Sequence, residues 1–358
     1  MPLPGDKHRR GRGAGSNPDA RYLDLTREAV DDGWHSDDAD APKLKTTVTE
    51  EHPKRIINRN ASPDLPFDQS INPYRGCEHG CVYCYARPAH AYVDLSPGLD
   101  FESRLFSKPN AAELLRAELG RRAYRCKTIS LGANTDAYQP LERRLRITRS
   151  ILEVLAECRH PVTIVSKSAL VERDIDVLAP MAADGLVEVY ISITSLDRTL
   201  SRRMEPRAAA PERRVATVRA LAQAGIPTGV MFAPVIPGLN DEHLENVLAA
   251  AAGAGARFAG FVMLRLPREV NPLFKEWLAE HYPLRAERVM NRVRDVRDGR
   301  ESDSQFGRRL KGTGEIAGLI EQRFRRACRE HGLNKSAHTL NTDLFIAPRS
   351  DSPQLALF

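Results

Sequence analysis

Residues Ile71–Arg87 read INPYRGCEHGCVYCYAR and contain three closely spaced thiols on which the interpretation of the whole chain depends. Cys77, Cys81 and Cys84 form a C-x3-C-x2-C pattern, so that three of the six cysteines lie in one short segment. Thiols this close cannot all pair in unstrained disulfides, whereas a short loop can direct three sulfurs toward one soft metal centre. The stretch therefore predicts a metal-binding loop.

The number of thiols indicates which kind of metal site the loop could form. Four thiolates saturate a structural zinc ion or an electron-transfer iron–sulfur cluster, whereas three leave a coordination position open for chemistry. Structural zinc remains an alternative, because His79 or His90 could supply a fourth ligand. A purely structural cysteine cluster is a further alternative. Gly76 and Gly80 favour a tight loop whose backbone amides can approach cluster sulfides without hindrance from a Cβ atom.

After the cysteine loop, helical and extended patterns alternate along the chain. The predicted strands are the segment before Cys77 and residues 126–133, 161–168, 187–194, 228–236 and 258–266. The predicted helices are residues 110–119, 146–158, 174–182, 211–224 and 241–254, the first of them capped by Asn110. A helical crossover makes the two strands that it joins parallel. The pattern predicts an α/β fold of six βα units, fewer than a closed eight-stranded barrel needs.

Polar side chains follow the carboxyl ends of these predicted strands, where barrel folds place their active sites. They are Asn134, Thr135 and Asp136, then Lys167 and Ser168, Thr194 and Ser195, the turn 237–240, and Arg265. Any one of them alone is explained as well by a turn. Because all of them fall on the same face as the cysteine loop, we expect that together they could bind a zwitterionic, ribose-bearing cofactor.

Several motifs resemble one known family. The C-x3-C-x2-C loop with Tyr83 before its last cysteine resembles the cluster loop of radical S-adenosylmethionine (SAM) enzymes. From about residue 72 to residue 266 the chain is similar to the group called DNA repair photolyases, relatives of spore photoproduct lyase. The matching runs are ISLGANTDAYQPLERRLRITRSILEVL, VSKS, ISITSLD, MEPRAAAPERR and GVMFAPVIPGLND. The opening GRGAGSNP…DDGW and the ending QLALF resemble an uncharacterised bacterial subfamily of that group.

The resemblance implies a fold, two cofactors and a set of site residues. The fold would be a partial (βα)6 TIM-type barrel over residues 61–268, whose lateral opening admits large substrates. A [4Fe-4S] cluster would be held by Cys77, Cys81 and Cys84, and SAM would chelate its fourth iron. The residues implied to contact SAM are Tyr83, Thr135, Lys167 and Ser192. Tyr85 matches a tyrosine of the lyase's radical relay and would be the catalytic residue.

One position departs from the lyase pattern. Spore photoproduct lyase uses a cysteine just after the second strand as hydrogen-atom donor, and alignment on Asp136 places Ala133 there. Cys126 begins the same strand, about 20 Å from its far end at roughly 3.3 Å per residue, and is a poor substitute. We therefore do not expect repair of thymine dimers by the lyase's route. Cys158 and Cys328 fall on apolar faces of predicted helices, which predicts core thiols.

Composition predicts that residues 1–60 form a poorly ordered arm, rich in glycine, proline and charge. Arg9, Arg10 and Arg12 could contact an anionic ligand or RNA, although a solvated tail is favoured. Trp34 could dock on the body of the protein. The formal net charge of +6 permits an anionic partner but does not identify one.

The sequence of residues 269–358 indicates a mostly helical extension, with predicted helices at 272–280, 284–296 and 315–331. The last helix should pack over the open side or the base of the barrel. Its apolar face consists of Ile316, Leu319, Ile320, Phe324 and Ala327. Its basic face, made of Arg323, Arg325, Arg326 and Arg329, could touch a phosphate backbone, although a solvated face is favoured. The tail after Pro348 should be unstructured.

Two hypotheses of function follow. The first is an enzyme that cleaves SAM reductively and generates a 5′-deoxyadenosyl radical for hydrogen abstraction, with nucleic acid among the candidate substrates and a flavodoxin or ferredoxin as reductant. The second is a non-catalytic Fe–S or nucleic-acid-associated binding module. Intact Thr135, Lys167 and Ser192 favour the enzyme, because a structural cluster needs no SAM-binding residues. No apolar run suggests a membrane span or a secretory signal, so we expect a cytoplasmic protein whose thiols stay reduced.

Overall fold

The computed structural model describes residues 11–22, 44–336 and 339–348, and their main sheet has seven strands. The strands are β1 (Thr47–Glu50), β2 (Ile57–Arg59), β3 (Gln69–Ile71), β4 (Tyr74–Arg75), β5 (Arg104–Ser107), β6 (Ile129–Leu131), β7 (Val162–Ser166), β8 (Val187–Ser192), β9 (Thr228–Val235) and β10 (Phe258–Met263). The α-helices are α1 (Asp100–Ser103), α2 (Ala111–Leu119), α3 (Glu142–Leu145), α4 (Ile147–Glu157), α5 (Ile175–Ala183), α6 (Arg198–Met204), α7 (Pro211–Gln223), α8 (Leu244–Gly253), α9 (Val270–His281), α10 (Ala286–Asp295) and α11 (Gly314–Glu330).

The main sheet has the strand order β10-β9-β8-β7-β6-β3-β2. The six strands from β3 to β10 run parallel, and helices α4, α5, α7 and α8 cross over between consecutive members of the set from β6 to β10. Among the described residues, the edge strands β2 and β10 do not pair with each other. The predicted α/β fold with a partial (βα)6 barrel is confirmed.

Two features of the sheets were not predicted. Strand β2 adds to the edge of the main sheet and runs antiparallel to β3. A second sheet of order β1-β5-β4 carries the chain into and out of the cysteine loop, with β5 parallel to β1 and antiparallel to β4. These strands are two to four residues long, which is too short for an alternating pattern to identify them in a sequence.

The parallel strands are apolar because they are covered on both faces. Val187, Val189 and Ile191 of β8, for example, are fully buried. Cys158 and Cys328 lie in the same core cluster, as predicted for core thiols. The cap predicted for α2 is wrong in detail, because Asn110 stands at the N-cap position but its side chain makes no capping hydrogen bond.

The expectation of a poorly ordered arm does not hold for residues 11–22 and 44–60. The first segment packs on the cysteine loop and on residues 96–100, and the second supplies β1 and β2. Tertiary hydrogen bonds to the backbone, which composition does not reveal, fix both segments. Arg9, Arg10, Trp34 and the tail after Pro348 lie outside the described residues.

For Arg12, both sequence-based expectations, a contact with an anionic ligand or RNA and a solvated tail, are wrong. Its side chain is buried, and its guanidinium donates to the carbonyl oxygens of Glu102 and Leu44 and to Thr46 Oγ1. The guanidinium is therefore neither solvated nor available to RNA.

The helical extension covers the outer edge of β10. Met263 donates its backbone N–H to the carbonyl oxygen of Leu310, and the side chain of Asn334 bonds both backbone groups of Ala259. These contacts satisfy an edge that would otherwise be free to pair with another chain. Phe324 of α11 packs on Phe261 with ring centroids 4.8 Å apart.

Helix α11 matches its predicted apolar face except at Leu319, which is 55% exposed. Three of the four arginines on its basic face form ion pairs, since Arg323 pairs with Glu245, and Arg325 and Arg326 pair with acids one turn away. Such pairs are typical of a solvated helix face. None of the helices in the described ranges is both long and apolar enough to span a membrane.

Candidate active site

An open cavity lies at the carboxyl ends of the parallel strands and measures about 1020 Å³, including space open to solvent. The eight side chains that the resemblance assigns to the cluster, to SAM or to the radical relay all line this one cavity. They are Cys77, Cys81, Tyr83, Cys84, Tyr85, Thr135, Lys167 and Ser192. The structure thus brings them together, while their individual roles remain predictions. Of the other polar residues predicted at the strand ends, Asn134, Asp136 and Arg265 line the cavity, whereas Ser168, Thr194, Ser195 and residues 237–240 do not.

The cysteine loop turns sharply at two glycines with positive φ angles. Gly76 has φ 74° and Gly80 has φ 68°, in the region that disfavours other residues. A Cβ atom at Gly76 would lie 2.5 Å from Leu105 Cδ2, so this position also lacks room for a side chain. Cys77 N–H donates to the carbonyl oxygen of Phe101 at 2.9 Å, which anchors the start of the loop.

The three thiols of the loop are free and line the cavity, Cys77 and Cys81 from a buried position and Cys84 from a half-buried one. Burial raises the pKa of all three, to about 12 for Cys81. Thiols with raised pKa values stay protonated at neutral pH and lose their protons when a metal centre binds. The donor set is therefore three soft ligands at one cavity wall, which suits iron–sulfur or zinc chemistry.

The two histidines that could have completed a zinc site differ in position. His79 lines the cavity, and its Nδ1 is engaged 3.3 Å from Asp136 Oδ2. His90 does not line the cavity, and its Nε2 lies 2.9 Å from the carbonyl oxygen of Arg104. In the described part of the chain, no three His, Cys, Asp or Glu side chains surround one point that a single ion could occupy. A cluster needs no such point, because each cysteine binds a different iron. The residues fit a [4Fe-4S] cluster better than zinc.

Asp136 joins the cysteine loop to the strand ends. Its carboxylate accepts from Ser166 Oγ and from Lys167 N–H, both at 2.7 Å, and pairs with His79. Burial opposes ionisation of this group, but His79 and the hydrogen bonds outweigh it and lower its pKa to about 2. Asp136 therefore stays charged and holds the backbone that carries Lys167. The sequence gave Asp136 no role of its own.

Glu205 is a buried acid beside the cysteine loop to which the sequence gave no role. It is fully buried, accepts hydrogen bonds from Tyr83 Oη and Thr194 Oγ1, and pairs with Arg214. Burial would raise its pKa, but Arg214 and Lys167 outweigh burial and lower it. The run MEPR was visible in the sequence, but nothing there showed that its acid turns inward to bind Tyr83.

Lys167 lies beside this buried acid at the end of β7. Its ammonium group sits 5.9 Å from the centre of the Tyr83 ring. Burial disfavours the cation, yet the neighbouring Cys81 and Glu205 more than compensate and raise the pKa of Lys167. Lys167 is consequently a charged group at the cavity wall, as binding of a carboxylate requires.

The other two predicted SAM contacts, Thr135 and Ser192, are each held by a hydrogen bond to the body of the protein. Thr135 is buried, and its hydroxyl donates to the carbonyl oxygen of Tyr74 at 3.0 Å. It can still accept a hydrogen bond from a ligand. Ser192 ends β8, and its carbonyl oxygen is held by Arg214 Nη1 at 3.0 Å.

Tyr85 crosses the cavity from the cysteine loop to the loop after β6. Its hydroxyl donates to the carbonyl oxygen of Ala133, and its ring lies under the guanidinium of Arg265 at 5.6 Å. Ala133 therefore faces the cavity at the position where the lyase pattern requires a cysteine. Cys126 does not line the cavity.

Residues 62–64 contact residues 307–309 and thereby join the two edges of the open sheet. We call these contacts the clasp. Asp64 lies in the loop between β2 and β3, and its carboxylate accepts from Gly307 N–H and Arg309 Nε at 2.6 Å each. Ser62 Oγ accepts from Arg309 as well. Since the segment 307–310 is also bonded to β10, the clasp bridges the side of the barrel that the sheet leaves open.

The family model for the radical SAM superfamily matches residues 71–251, which is half of the chain and contains the cysteine loop. The chain belongs to the radical SAM superfamily. Membership in the radical SAM superfamily supports the prediction of an enzyme, and it implies a [4Fe-4S] cluster and SAM as cofactors.

Relatives of this radical SAM chain occur in distant organisms. An uncharacterized protein of Mycobacterium tuberculosis is 40% identical over 221 residues, which cover 61% of this chain and 65% of the relative. An uncharacterized protein of Methanocaldococcus jannaschii is 27% identical over 241 residues, which cover 67% of this chain and 85% of the relative. The match to the mycobacterial relative thus spans just under two thirds of its length.

Solved structures with the same radical SAM fold include spore photoproduct lyase complexed with dinucleoside spore photoproduct. That structure has a TM-score of 0.58 and 16% identity, and the match covers 81% of this chain and 82% of the lyase. A mutant of the lyase with bound AdoMet and dinucleoside spore photoproduct has a TM-score of 0.54 and 16% identity, with 80% of each chain covered. At this identity the likeness establishes the fold.

Proposed function

We propose that this protein is a SAM-cleaving enzyme in which Cys77, Cys81 and Cys84 hold a [4Fe-4S] cluster. The observation that carries the proposal is that these three free thiols and the charged Lys167 line one cavity at the carboxyl ends of the barrel strands. A cluster bound by three cysteines keeps one iron open for a second ligand. Together the cluster and SAM would supply a 5′-deoxyadenosyl radical that abstracts a hydrogen atom from the substrate.

The side chains around the thiols have distinct tasks in this proposal. Lys167 attracts the carboxylate of SAM, because it is a cation at the wall of a partly enclosed site. Glu205 keeps Lys167 charged and fixes the hydroxyl of Tyr83, so that the Tyr83 ring presents a flat face to the cofactor. Asp136 holds the backbone of Lys167 in place. Tyr85 lies between the thiols and Ala133, where a substrate radical would be quenched or relayed.

We further propose nucleic acid as the substrate class. The solved lyase of the same fold is complexed with a dinucleoside photoproduct, and the chain's net charge of +6 suits an anionic partner. Repair by the lyase's own route is not part of the proposal, since Ala133 carries no thiol. A flavodoxin or ferredoxin in the cytoplasm would supply the electron.

The test is anaerobic reconstitution with iron and sulfide, followed by reduction in the presence of SAM. We expect about four irons per chain and formation of 5′-deoxyadenosine and methionine, and we expect Cys81→Ser to lose both. Cys158→Ser is the matched control, because Cys158 is a buried core thiol outside the cavity. Zinc binding without iron, or equal iron content in the two variants, would disprove the cluster assignment.

The competing hypothesis is a non-catalytic Fe–S or nucleic-acid-associated module. Lys167 argues against it, because a cluster kept for structure gains nothing from a charged, half-buried lysine at the wall of the same cavity. The same experiment separates the two hypotheses. A reduced, cluster-loaded protein that binds no SAM and forms no 5′-deoxyadenosine would establish the module.

A further inference from the structure

Two long cationic side chains line the cavity, Lys167 and Arg265. Lys167 directly follows β7, and Arg265 follows the end of β10, so three strand spacings separate the two positions in the sheet. At about 4.8 Å per spacing the separation along the sheet is roughly 14 Å. Lys167 lies beside Cys81 and Glu205, whereas Arg265 lies at the other end of the cavity. The two cations therefore face different parts of what the cavity holds.

The guanidinium of Arg265 has unmet hydrogen-bonding capacity. Its Nε is buried without a hydrogen-bond partner, and within the described ranges no carboxylate forms an ion pair with it. Burial and the nearby Arg309 both lower its pKa. A guanidinium in this position costs free energy in the empty cavity and is stabilised when an anion arrives.

The charged side chains around Arg265 are already bound to other groups. The nearest acid, Asp64, is held in the clasp by Arg309 and by the N–H of Gly307. Arg297 is buried and donates to the carbonyl oxygens of Leu264 and Arg308. In contrast to Arg309 and Arg297, Arg265 donates no hydrogen bond to any residue in the described part of the chain.

Aromatic rings lie against Arg265, which lines the cavity, and against the neighbouring Arg309. The Tyr85 ring lies under Arg265 and is 47% exposed, and Phe306 lies under Arg309 at 4.6 Å and is 54% exposed. A guanidinium stacked on a ring still offers its N–H edge for paired hydrogen bonds to a phosphate. Exposed rings beside cations are also the surfaces on which unpaired bases stack.

We propose that Arg265, supported by the Tyr85 ring, binds a backbone phosphate of a single-stranded nucleic-acid substrate at the end of the cavity opposite Lys167. This inference rests on the proposed function, because it names a contact for that function's substrate. Arg265 is a binding residue in this assignment and takes no part in bond breaking. Its position fixes where the strand lies relative to the thiols.

Binding is measured by fluorescence anisotropy with labelled hexathymidylate and the cluster-loaded, SAM-bound full chain under anaerobic conditions. Loss of hydrogen bonds to a charged group predicts that Arg265→Gln weakens binding roughly 10- to 100-fold. The affinity of Arg265→Lys should lie between those of Arg265→Gln and the unmodified protein, because lysine keeps the charge but lacks the paired N–H donors of a guanidinium. Arg325→Gln on α11 is the matched control, with the same loss of charge on an exposed helix, and should bind as the unmodified protein does.

A hexathymidylate with an uncharged methylphosphonate backbone isolates the phosphate. We expect it to bind weakly and to be insensitive to Arg265→Gln. Equal hexathymidylate affinities for Arg265→Gln and the unmodified protein would overturn the proposal. So would a dependence on Arg265 shown by an acidic peptide and not by hexathymidylate, which would indicate a carboxylate ligand. If Arg265→Gln lacks the circular dichroism of the folded chain, Arg265→Lys decides.

Two further readouts separate this inference from the proposed function. A marked rise in the SAM dissociation constant of Arg265→Gln, with hexathymidylate binding kept, would assign Arg265 to the cofactor and overturn the inference alone. A protein that cleaves no SAM but binds hexathymidylate through Arg265 would refute the proposed function while the phosphate contact stands.

Discussion

The backbone of Gly13 lies directly against the carbonyl oxygen of Gly80, which stands between Cys77 and Cys81 in the cysteine loop. A Cβ atom at Gly13 would lie 1.7 Å from that oxygen. Glu102 holds the two segments together, because its carboxylate accepts from the N–H groups of Gly13 and Ala14 and from Arg87, whose Nε binds the carbonyl oxygen of Cys81. The N-terminal segment is therefore part of the wall behind the thiols.

The first prediction follows from this contact. Gly13→Ala should displace the cysteine loop, reduce iron content after reconstitution and lower the stability of the apo protein by about 1–3 kcal/mol, as overpacking does. Gly15→Ala is the matched control, since a Cβ there has its nearest neighbour at 3.9 Å. Iron analysis, electron paramagnetic resonance of the reduced protein and thermal unfolding measure the effect. Equal iron content and spectra in both variants would show that the segment does not position the loop.

The second prediction concerns Lys167. Lys167→Met keeps the length of the side chain and removes its charge, so we expect SAM affinity to fall roughly tenfold or more. Lys127→Met is the matched control, because Lys127 is an exposed residue paired with Asp68. Anaerobic isothermal titration of the cluster-loaded variants measures the affinities. Unchanged SAM affinity in a folded Lys167→Met protein would contradict the assigned role.

The third prediction is a loss of stability in weak acid. Burial lowers the pKa of His160 from 6.5 to about 4, so the unfolded chain takes up this proton at higher pH than the folded chain does. The stability is complete above pH 6.5 and is lost as the pH falls toward 4, by up to roughly 3 kcal/mol from this group. Urea unfolding at several pH values should show this loss reduced in His160→Gln. An unchanged pH dependence in the variant would place the titration elsewhere.

The fourth prediction concerns Ala133. The unmodified protein should not convert dinucleoside spore photoproduct cleanly to two thymidines, because no thiol stands at the position beside the Tyr85 hydroxyl. Ala133→Cys supplies that thiol and should raise the yield of thymidine, as measured by chromatography under anaerobic conditions. Ala137→Cys is the control, because Ala137 is a buried core residue outside the cavity. Efficient conversion by the unmodified protein would show that another donor serves.

The sequence predicted those parts of the fold and site that depend on local pattern. The strands β6 to β10 lie in mostly apolar segments between amphipathic helices, so their order and direction could be inferred from the chain. The cysteines were identified by their spacing alone. Lys167 could be placed because strand ends of a parallel barrel meet on one face, whereas Ser192 was assigned only through the family resemblance.

The parts that the sequence did not predict depend on contacts between distant residues. Glu102 binds Gly13 across 89 positions, and Glu205 binds Tyr83 across 122 positions. Neither acid differs from an ordinary surface acid in a pattern of apolar and polar residues. The ordered segment 11–22 has the composition of a flexible tail, and backbone hydrogen bonds to the body outweigh that composition.

The clasp between Asp64 and Arg309 also sets the order in which the protein can be completed during its synthesis. The two residues are 245 positions apart, and ribosomes add roughly 5–20 residues per second. At those rates, Arg309 is synthesised roughly 10–50 s after Asp64. During that interval the thiols are already made while the wall at residues 307–310 is not, so the nascent chain exposes its metal ligands before the cavity closes.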